Sequence, residues 1–280
     1  MRFGVTIFST DVSMPVTDLA VAAEERGFDS VWIPEHTHIP TSRLTPPPTG
    51  GTELAEEYKR SVDPLVALAA AAALTSTIRL GTGILLPAQR EPIVTAKAIA
   101  TLANLSNGRF ELGIGFGWNV DEMEDHGVSY ATRREHTRDH MRAMQVLWSN
   151  EVASYEGEFV SFPPTWSWPK PEASVPVLIG GGAGPKMFAH LAEYADGWIP
   201  IGGAGLAEAI PRYKDAVAAA GRDPEAMQII PFGSLPTAAK LEHFESIGVT
   251  ECVFRIPSAP VDDVLPVLDE QAALVAALRR

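Results

Sequence analysis

Cysteine is almost missing from this chain of 280 residues: Cys252 stands alone. No internal disulfide can form, and the composition fits a reducing, cytoplasmic setting. Long hydrophobic runs are missing too. No apolar stretch reaches the ~18 uninterrupted residues of a membrane-spanning helix, and the opening MRFGVTIF is too short for a secretory signal, so no membrane partner is expected. Positive charge is scarce, with 22 Lys and Arg against 35 Asp and Glu and a formal charge of −13. No Lys/Arg cluster exceeds a pair, so nucleic acid is not an expected partner. Charged residues make up only 20% of the chain and hydrophobic ones 46%, which suits a large buried core and excludes disordered and collagen-like classes.

Several chemical signatures are absent as well. There is no G-x-S-x-G elbow, no G-K-[ST] after a glycine run, and no H-E-x-x-H, because Thr137 stands where that motif needs Glu. Gly115-Phe116-Gly117 does not complete a dinucleotide fingerprint, since Val120 occupies the last glycine position. Cys252, in an apolar run with no base beside it, reads as a small buried hydrophobe.

What is present is alternation. Strand-like apolar runs span 2–8, 30–35, 79–86, 110–116, 175–179, 198–201, 228–232 and 252–256, and helix-period segments start near Pro15, Val62, Pro92, Thr132, Pro185, Leu206, Thr237 and Val261. Several of those helices carry Pro in the first turn, where its missing N–H costs nothing. Gly27, Gly108, Gly221 and Gly248 follow periodic segments as C-terminal stops. Eight β/α units whose strands are apolar on both faces predict one α/β domain over 1–280, a (β/α)8 TIM-like barrel. A doubly wound open sheet is the structural alternative. Two insertions break the rhythm: Thr37 to Ser61 after strand two, with Pro46-Pro47-Pro48 and Gly50-Gly51, and Glu151 to Glu172 before strand five. The first leaves the catalytic face of a barrel and suits a lid; the second suits a packing arm or a subunit contact.

Candidate chemistry sits at strand ends. SVWIPEHTH delivers Glu35, His36 and His38 into a barrel mouth, where a His can bind a ring or move a proton. His36-x-His38 is also metal-compatible, as are His136 and His140, although the latter lie in TRREHTRDHMR, which reads as a solvated face. Glycines inside strand three, in the run Gly81, Thr82, Gly83 and Ile84, give clearance either for a flat ring or for crowded barrel packing. Strand four ends in Gly115, Gly117, Trp118 and Asn119. After strand five, Gly180, Gly181, Gly182, Ala183 and Gly184 open a helix, a seat for a phosphate to which Lys186 could add charge, or a plain turn. Asp196-Gly197-Trp198 reads as a turn and a core anchor.

Taken in order, RFGVTIF, AEERGFDSVWIPEH, IRLGTGILLPAQREPIVTAKAIATLANLSNGRFELGIGFGWN, and PVLIGGG with AEYADGWIP resemble the bacterial luciferase-like superfamily, and within it the F420-dependent oxidoreductases of actinobacteria. The resemblance covers nearly the whole chain. It implies a barrel that holds F420, or alternatively FMN, at its mouth, and a homodimer acting on a small-molecule substrate. By the same resemblance Glu35 and His36 lie near the reactive ring and an often cis peptide falls at Gly83-Ile84. Gly115, Gly117 and Asn119 map onto the end of strand four, and Gly181, Gly182 and Ala183 onto phosphate contacts. Trp118 and His38 would line the substrate pocket. Sugar-phosphate dehydrogenases of this group carry Glu at the place of Trp118 and Trp near Pro40, and the long insertion after strand seven is missing here. The first departure speaks against that substrate, and the second leaves the mouth more open or closed by Thr37 to Ser61 instead. The expected activity is hydride transfer with F420 and no resident metal. An FMN-dependent monooxygenase is the alternative, and a metal-dependent hydrolase using His36 and His38 or a non-catalytic flavin binder are readings of other classes.

Overall fold

The computed structural model describes residues 1–47 and 51–279, so Pro48 and Gly50 of the first insertion lie outside the described residues. Eight parallel strands form one sheet: β1 (Arg2–Thr6), β2 (Ser30–Ile33), β3 (Arg79–Thr82), β4 (Phe110–Ile114), β7 (Val177–Gly180), β8 (Gly197–Ile199), β9 (Gln228–Ile229) and β10 (Glu251–Arg255). Their order is β10-β1-β2-β3-β4-β7-β8-β9, and the seam between β9 and β10 is drawn together by a Ser234–Phe254 bridge and by Val253 N–H donating to Pro231 O at 3.0 Å. The chain is a TIM-like barrel, not an open sheet.

Why the strands curl so tightly is visible inside. Trp32, Leu178, Ile199, Ile230 and Val253 fill the interior, with Ile84 and Phe232 against them. Trp32 is fully buried and sits in register with Gly81, where a Cβ would lie 2.2 Å from the indole. Gly83 yields in the same way to the Phe232 ring, 2.3 Å from where its Cβ would be. The glycine clearance of strand three is thus taken up by large neighbours, as a closely packed barrel requires.

Helices α1 (Val16–Glu25), α2 (Pro64–Leu74), α3 (Pro92–Leu105), α5 (Arg133–Ser149), α6 (Pro185–Tyr194), α7 (Leu206–Ala219), α8 (Ala238–Ser246) and α9 (Val261–Leu278) cover the outside, all starting within two residues of the predicted positions. Their starts are chemically marked. Asp63 accepts from Val66 N–H at 3.0 Å ahead of Pro64, and Glu91 accepts from Val94 N–H at 2.5 Å ahead of Pro92. One helix was not foreseen, α4 (Val120–Asp125), which fills the connection between β4 and α5. Among the described residues no helix is long and apolar enough to cross a membrane. Cys252 is fully buried, and burial pushes its thiol up to about 12.

The insertion before the fifth barrel strand is an antiparallel hairpin, β5 (Ala153–Glu156) and β6 (Ser161–Thr165), packed along α5. Asp139 is its anchor: it accepts from Tyr155 O–H at 2.6 Å, Phe159 N–H at 2.7 Å and Val160 N–H at 2.9 Å. The hairpin is a packing arm, while Trp166 and Trp168 beyond it are exposed. The same contact corrects the expected solvated face of 132–142, because Thr137, Asp139, His140 and Met141 are buried. Asp139→Ala is expected to speed exchange of the Phe159 and Val160 amide protons about tenfold, a local loss of ~1–2 kcal/mol. Unchanged exchange there would show that the apolar contacts hold the arm unaided.

Candidate active site

At the C-terminal mouth, β2 runs out into Pro34-Glu35-His36 and delivers two buried ionisable groups. They have different surroundings. Both Glu35 oxygens are occupied, one by Leu86 N–H at 2.6 Å and the other by Arg90 Nε at 2.6 Å, and Arg90 continues to Asp63 at 2.6 Å. Burial pushes the Glu35 carboxyl up and the Arg90 guanidinium opposes it. Glu35 therefore ties the end of β2 to the segment after β3, and the catalytic role implied for it finds no free oxygen to act with.

His36 is different because one ring nitrogen is held by a carboxylate and the other meets only the Trp118 indole. Its Nδ1 lies 2.7 Å from Glu122 Oε2, while Trp118 Nε1 approaches its Nε2 at 3.4 Å. A proton on Nδ1 and a lone pair on Nε2 satisfy both contacts. Glu122 is fully buried and also accepts from Thr37 N–H at 3.0 Å. Burial alone pushes its carboxyl up, but the His36 N–H and charge and the Thr37 N–H outweigh that and hold it below the ordinary range. The pair is an orienting carboxylate behind an imidazole, the arrangement that fixes a ring for proton transfer.

The aromatic wall is built from two sides of the chain. Tyr58, in the first insertion, sits 5.3 Å from the His36 ring and 6.0 Å from Trp118, and rests on Phe8 at 4.6 Å. Trp118 stands 5.7 Å from His36, and the Arg43 guanidinium lies 6.0 Å from its ring. Helix α4 holds this mouth together: Asp121 accepts from Thr45 O–H at 2.7 Å and Leu44 N–H at 3.2 Å, Glu122 takes His36, and Asp125 takes His38 at 3.1 Å. The described part of Thr37 to Ser61 therefore packs against α4 and against the His36 and Trp118 rings.

The glycine turn after β7 is the candidate anion seat. The Gly181 turn is fixed from below, with Trp198 Nε1 donating to Gly181 O at 2.8 Å and Gly181 N–H donating to Ile199 O at 3.1 Å. Beyond it, the N–H groups of Gly182, Ala183 and Gly184 find no acceptor among the described residues, and nothing lies within 4 Å of a Cβ at Gly182 or Gly184. The ten-residue helix α6 starts immediately afterwards, adding its positive end. Asn119 is 1% exposed, yet neither its Oδ1 nor its Nδ2 has a partner. A buried amide with both ends unmet is costly unless something outside the protein meets it.

A family model for luciferase-like monooxygenases matches residues 1–245. The chain belongs to the luciferase-like monooxygenase family. An uncharacterized protein of Mycobacterium tuberculosis is 42% identical over 280 residues, covering 99% of both chains. An F420-dependent glucose-6-phosphate dehydrogenase of Kineococcus radiotolerans is 33% identical over 223 residues, which span 74% of this chain and 59% of that enzyme. In structure, a monooxygenase from Streptomyces bottropensis superposes with a TM-score of 0.81 at 21% identity over the full length of both. The family's members are oxidoreductases and monooxygenases that work with flavin-like cofactors.

Within this luciferase-like barrel the expected residues separate into groups. His36 and Trp118 are brought together, and Gly180, at the head of the glycine turn, and Gly115 both pack on Ile84, where a Cβ on Gly115 would lie 1.8 Å from Ile84 Cδ1. The Gly83–Ile84 peptide is cis, as the resemblance implied. Gly117 adopts φ +76 in the turn that presents Trp118. Three expectations are corrected: Gly81 packs on Trp32, the buried Thr82 hydroxyl donates to Gly113 O at 2.7 Å, and the Gly181 N–H that the resemblance assigned to a phosphate is taken by Ile199 O at 3.1 Å. His38 lies outside the pocket, on the surface with Asp125 and His126. His36 and His38 thus point to different carboxylates, and among the described residues no group of three or more His, Cys, Asp or Glu could hold a metal ion. Sequence reasoning missed Glu122 and Tyr58. The acidic run VDEMED has the look of a solvated helix, and only its place directly after the Trp118-Asn119 strand end marked it as near the mouth.

Proposed function

We propose that this protein is an F420-dependent oxidoreductase that exchanges a hydride between the deazaflavin and a small organic substrate. The observation that carries the reading is one barrel mouth bearing the Glu122-oriented His36, the unmet Asn119 amide and the free N–H groups of Gly182 to Gly184. When bound, the deazaflavin supplies a carbon that gives or takes hydride. Gly182, Ala183 and Gly184 would bind its phosphate, and Asn119 would meet a polar edge of the ring or its chain. His36 holds or accepts the proton that accompanies hydride transfer at Nε2, with Glu122 fixing Nδ1. Trp118 and Tyr58 wall the pocket against water. The choice of F420 over FMN rests on the 33% identical dehydrogenase, whose description names that cofactor. Its sugar-phosphate substrate is not carried over, because the resemblance places Trp118 where those enzymes carry Glu.

Purified apoprotein titrated with F420 and with FMN, followed by aerobic turnover, tests the reading. Tight F420 binding and no oxygen consumption are expected. Preferential FMN binding with oxygen uptake would establish the monooxygenase alternative instead.

A further inference from the structure

We propose that Tyr58 is a further catalytic residue, whose hydroxyl donates a hydrogen bond to the oxygen on the reacting carbon of an alcohol or carbonyl substrate; this rests on the deazaflavin reading above. Tyr58 comes from the single turn Glu56–Arg60 of the first insertion, yet both its backbone and its ring are fixed. Arg60 holds Asp11 through two hydrogen bonds at 2.8 and 3.0 Å. Val62 N–H donates to Ser9 O at 3.1 Å and the Ser61 hydroxyl to His36 O at 3.0 Å, which ties the turn to the chain leaving β1 and β2. The ring is then held on three sides, by Phe8, His36 and Trp118. A donor positioned in this way needs no reorganisation at the moment of reaction.

The hydroxyl is the unused part of this side chain. Tyr155 gives its O–H to Asp139, the Tyr194 hydroxyl lies 3.4 Å from His190 Nδ1, and that of Tyr213 is buried in the core. The Tyr58 hydroxyl is not buried and has no partner among the described residues. Strand alternation puts its turn at the barrel mouth. Along β10, Glu251 meets Ser30 and Trp32 inside the barrel and Val253 fills the interior, so Arg255, next on that face, stands at the C-terminal opening. Arg255 lies 3.6 Å from Glu57, the neighbour of Tyr58. Burial and the Glu57 charge push the phenol up against the Arg255 charge, so at neutral pH it keeps its proton and can donate it to a hydrogen bond.

His36 Nε2 is an acceptor and the Tyr58 O–H a donor, on rings 5.3 Å apart. That pairing matches a hydroxyl group, which gives one hydrogen bond and accepts another. In alcohol oxidation His36 Nε2 takes the hydroxyl proton, and the O–H bonding pair becomes the second C–O bond. The carbinol hydrogen leaves with its bonding pair for the deazaflavin, which is the oxidant. Tyr58 keeps its own proton and stabilises the negative charge that builds on the oxygen. Ketone reduction runs through the same contacts in reverse.

The test is Tyr58→Phe, which keeps the ring and removes only the hydroxyl. A melting curve within a few degrees of wild type shows that the variant is folded. F420 affinity, read from deazaflavin fluorescence, should stay within about twofold of wild type. Turnover is followed with 2-butanol and cyclohexanol and with their ketones, and kcat/KM should fall about 10²-fold, the usual loss for one preorganised donor. A second readout is the infrared carbonyl stretch of cyclohexanone bound beside oxidised F420, two molecules that do not react with each other. Wild-type protein should lower that stretch and Tyr58→Phe should return it toward the value of the free ketone, a change that a merely structural ring would not cause. Unchanged turnover and an unchanged stretch in the variant would overturn the role of Tyr58, as would a loss confined to F420 affinity. Tight F420 binding by wild-type protein without turnover of any of these compounds would overturn the substrate class and leave the deazaflavin reading standing. Failure to bind F420 would overturn that reading and the inference with it.

Discussion

Replacing His36 with Ala is expected to lower turnover of the cofactor-loaded protein by at least tenfold and on the order of 10²-fold, the usual worth of a positioned proton-transfer group. Glu122→Gln keeps the shape of the partner but removes its charge, and a Gln amide can present N–H as readily as oxygen to His36 Nδ1. The imidazole then loses the one contact that fixes its proton on Nδ1, and a roughly tenfold fall in kcat is expected with little change in cofactor affinity. Because Glu122 reaches the chemistry only through His36, at 2.7 Å from its Nδ1, the two substitutions should not add. The double variant should be no slower than His36→Ala. Steady-state kinetics on the four proteins decide it: multiplicative losses would mean that Glu122 acts on its own, and unchanged kinetics in His36→Ala would take the imidazole out of the mechanism.

How much of this could be read from the residues depends on how local the cause is. Barrel strands are bounded apolar runs, and helix starts carry Pro64, Pro92 and Pro185, so the barrel strands were legible in order and number and the helices in order, with α4 the exception. Strand lengths were not. The run predicted to continue to Leu86 is interrupted at Gly83 and Ile84, which pack against Phe232 and Gly115, and rejoins the sheet only at the Leu85–Ile114 bridge. His36 was legible because a His at the end of an apolar strand is a local signal. Glu122 was not, because the partner that buries it lies 86 residues earlier in the chain. The two readings of the strand-three glycines could not be separated without knowing that Trp32 and Phe232 point at them. Asp139 is the same case: on a charged helix it looks solvated until the arm 16 to 21 residues later folds back on it.

The stability of the barrel should fall by about 3 kcal/mol between acidic and mildly alkaline pH, because of Glu111 at the closed end opposite the active site. There, inside the barrel, Glu111 and Glu251 share two guanidinium groups. Glu251 takes the better contacts: Arg79 at 2.5 Å, Arg2 at 3.0 Å, Trp32 Nε1 at 3.2 Å, and the Ser30 hydroxyl. Glu111 is left with Arg79 at 3.3 Å and Arg2 at 4.0 Å, and its Oε2 has no hydrogen-bond partner. Two cations stand against two acids, so by charge count alone both would ionise. Burial and the Glu251 charge prevail over them and over a Gln228 hydrogen bond, however, and push the Glu111 carboxyl from 4.5 to about 7. In the folded protein Glu111 thus keeps a proton that the unfolded chain has released, so stability from this group is full below pH 4.5, declines as pH rises from 4.5 to 7, and stays at its lower level above 7. Glu111→Gln mimics the protonated acid and should match wild type near the lower bound of that window. Above it the variant should be the more stable protein by ~2–3 kcal/mol, read from denaturant midpoints at matched slopes. Parallel pH profiles for the two proteins would show that Glu111 is ionised throughout, with the two arginines serving both acids equally.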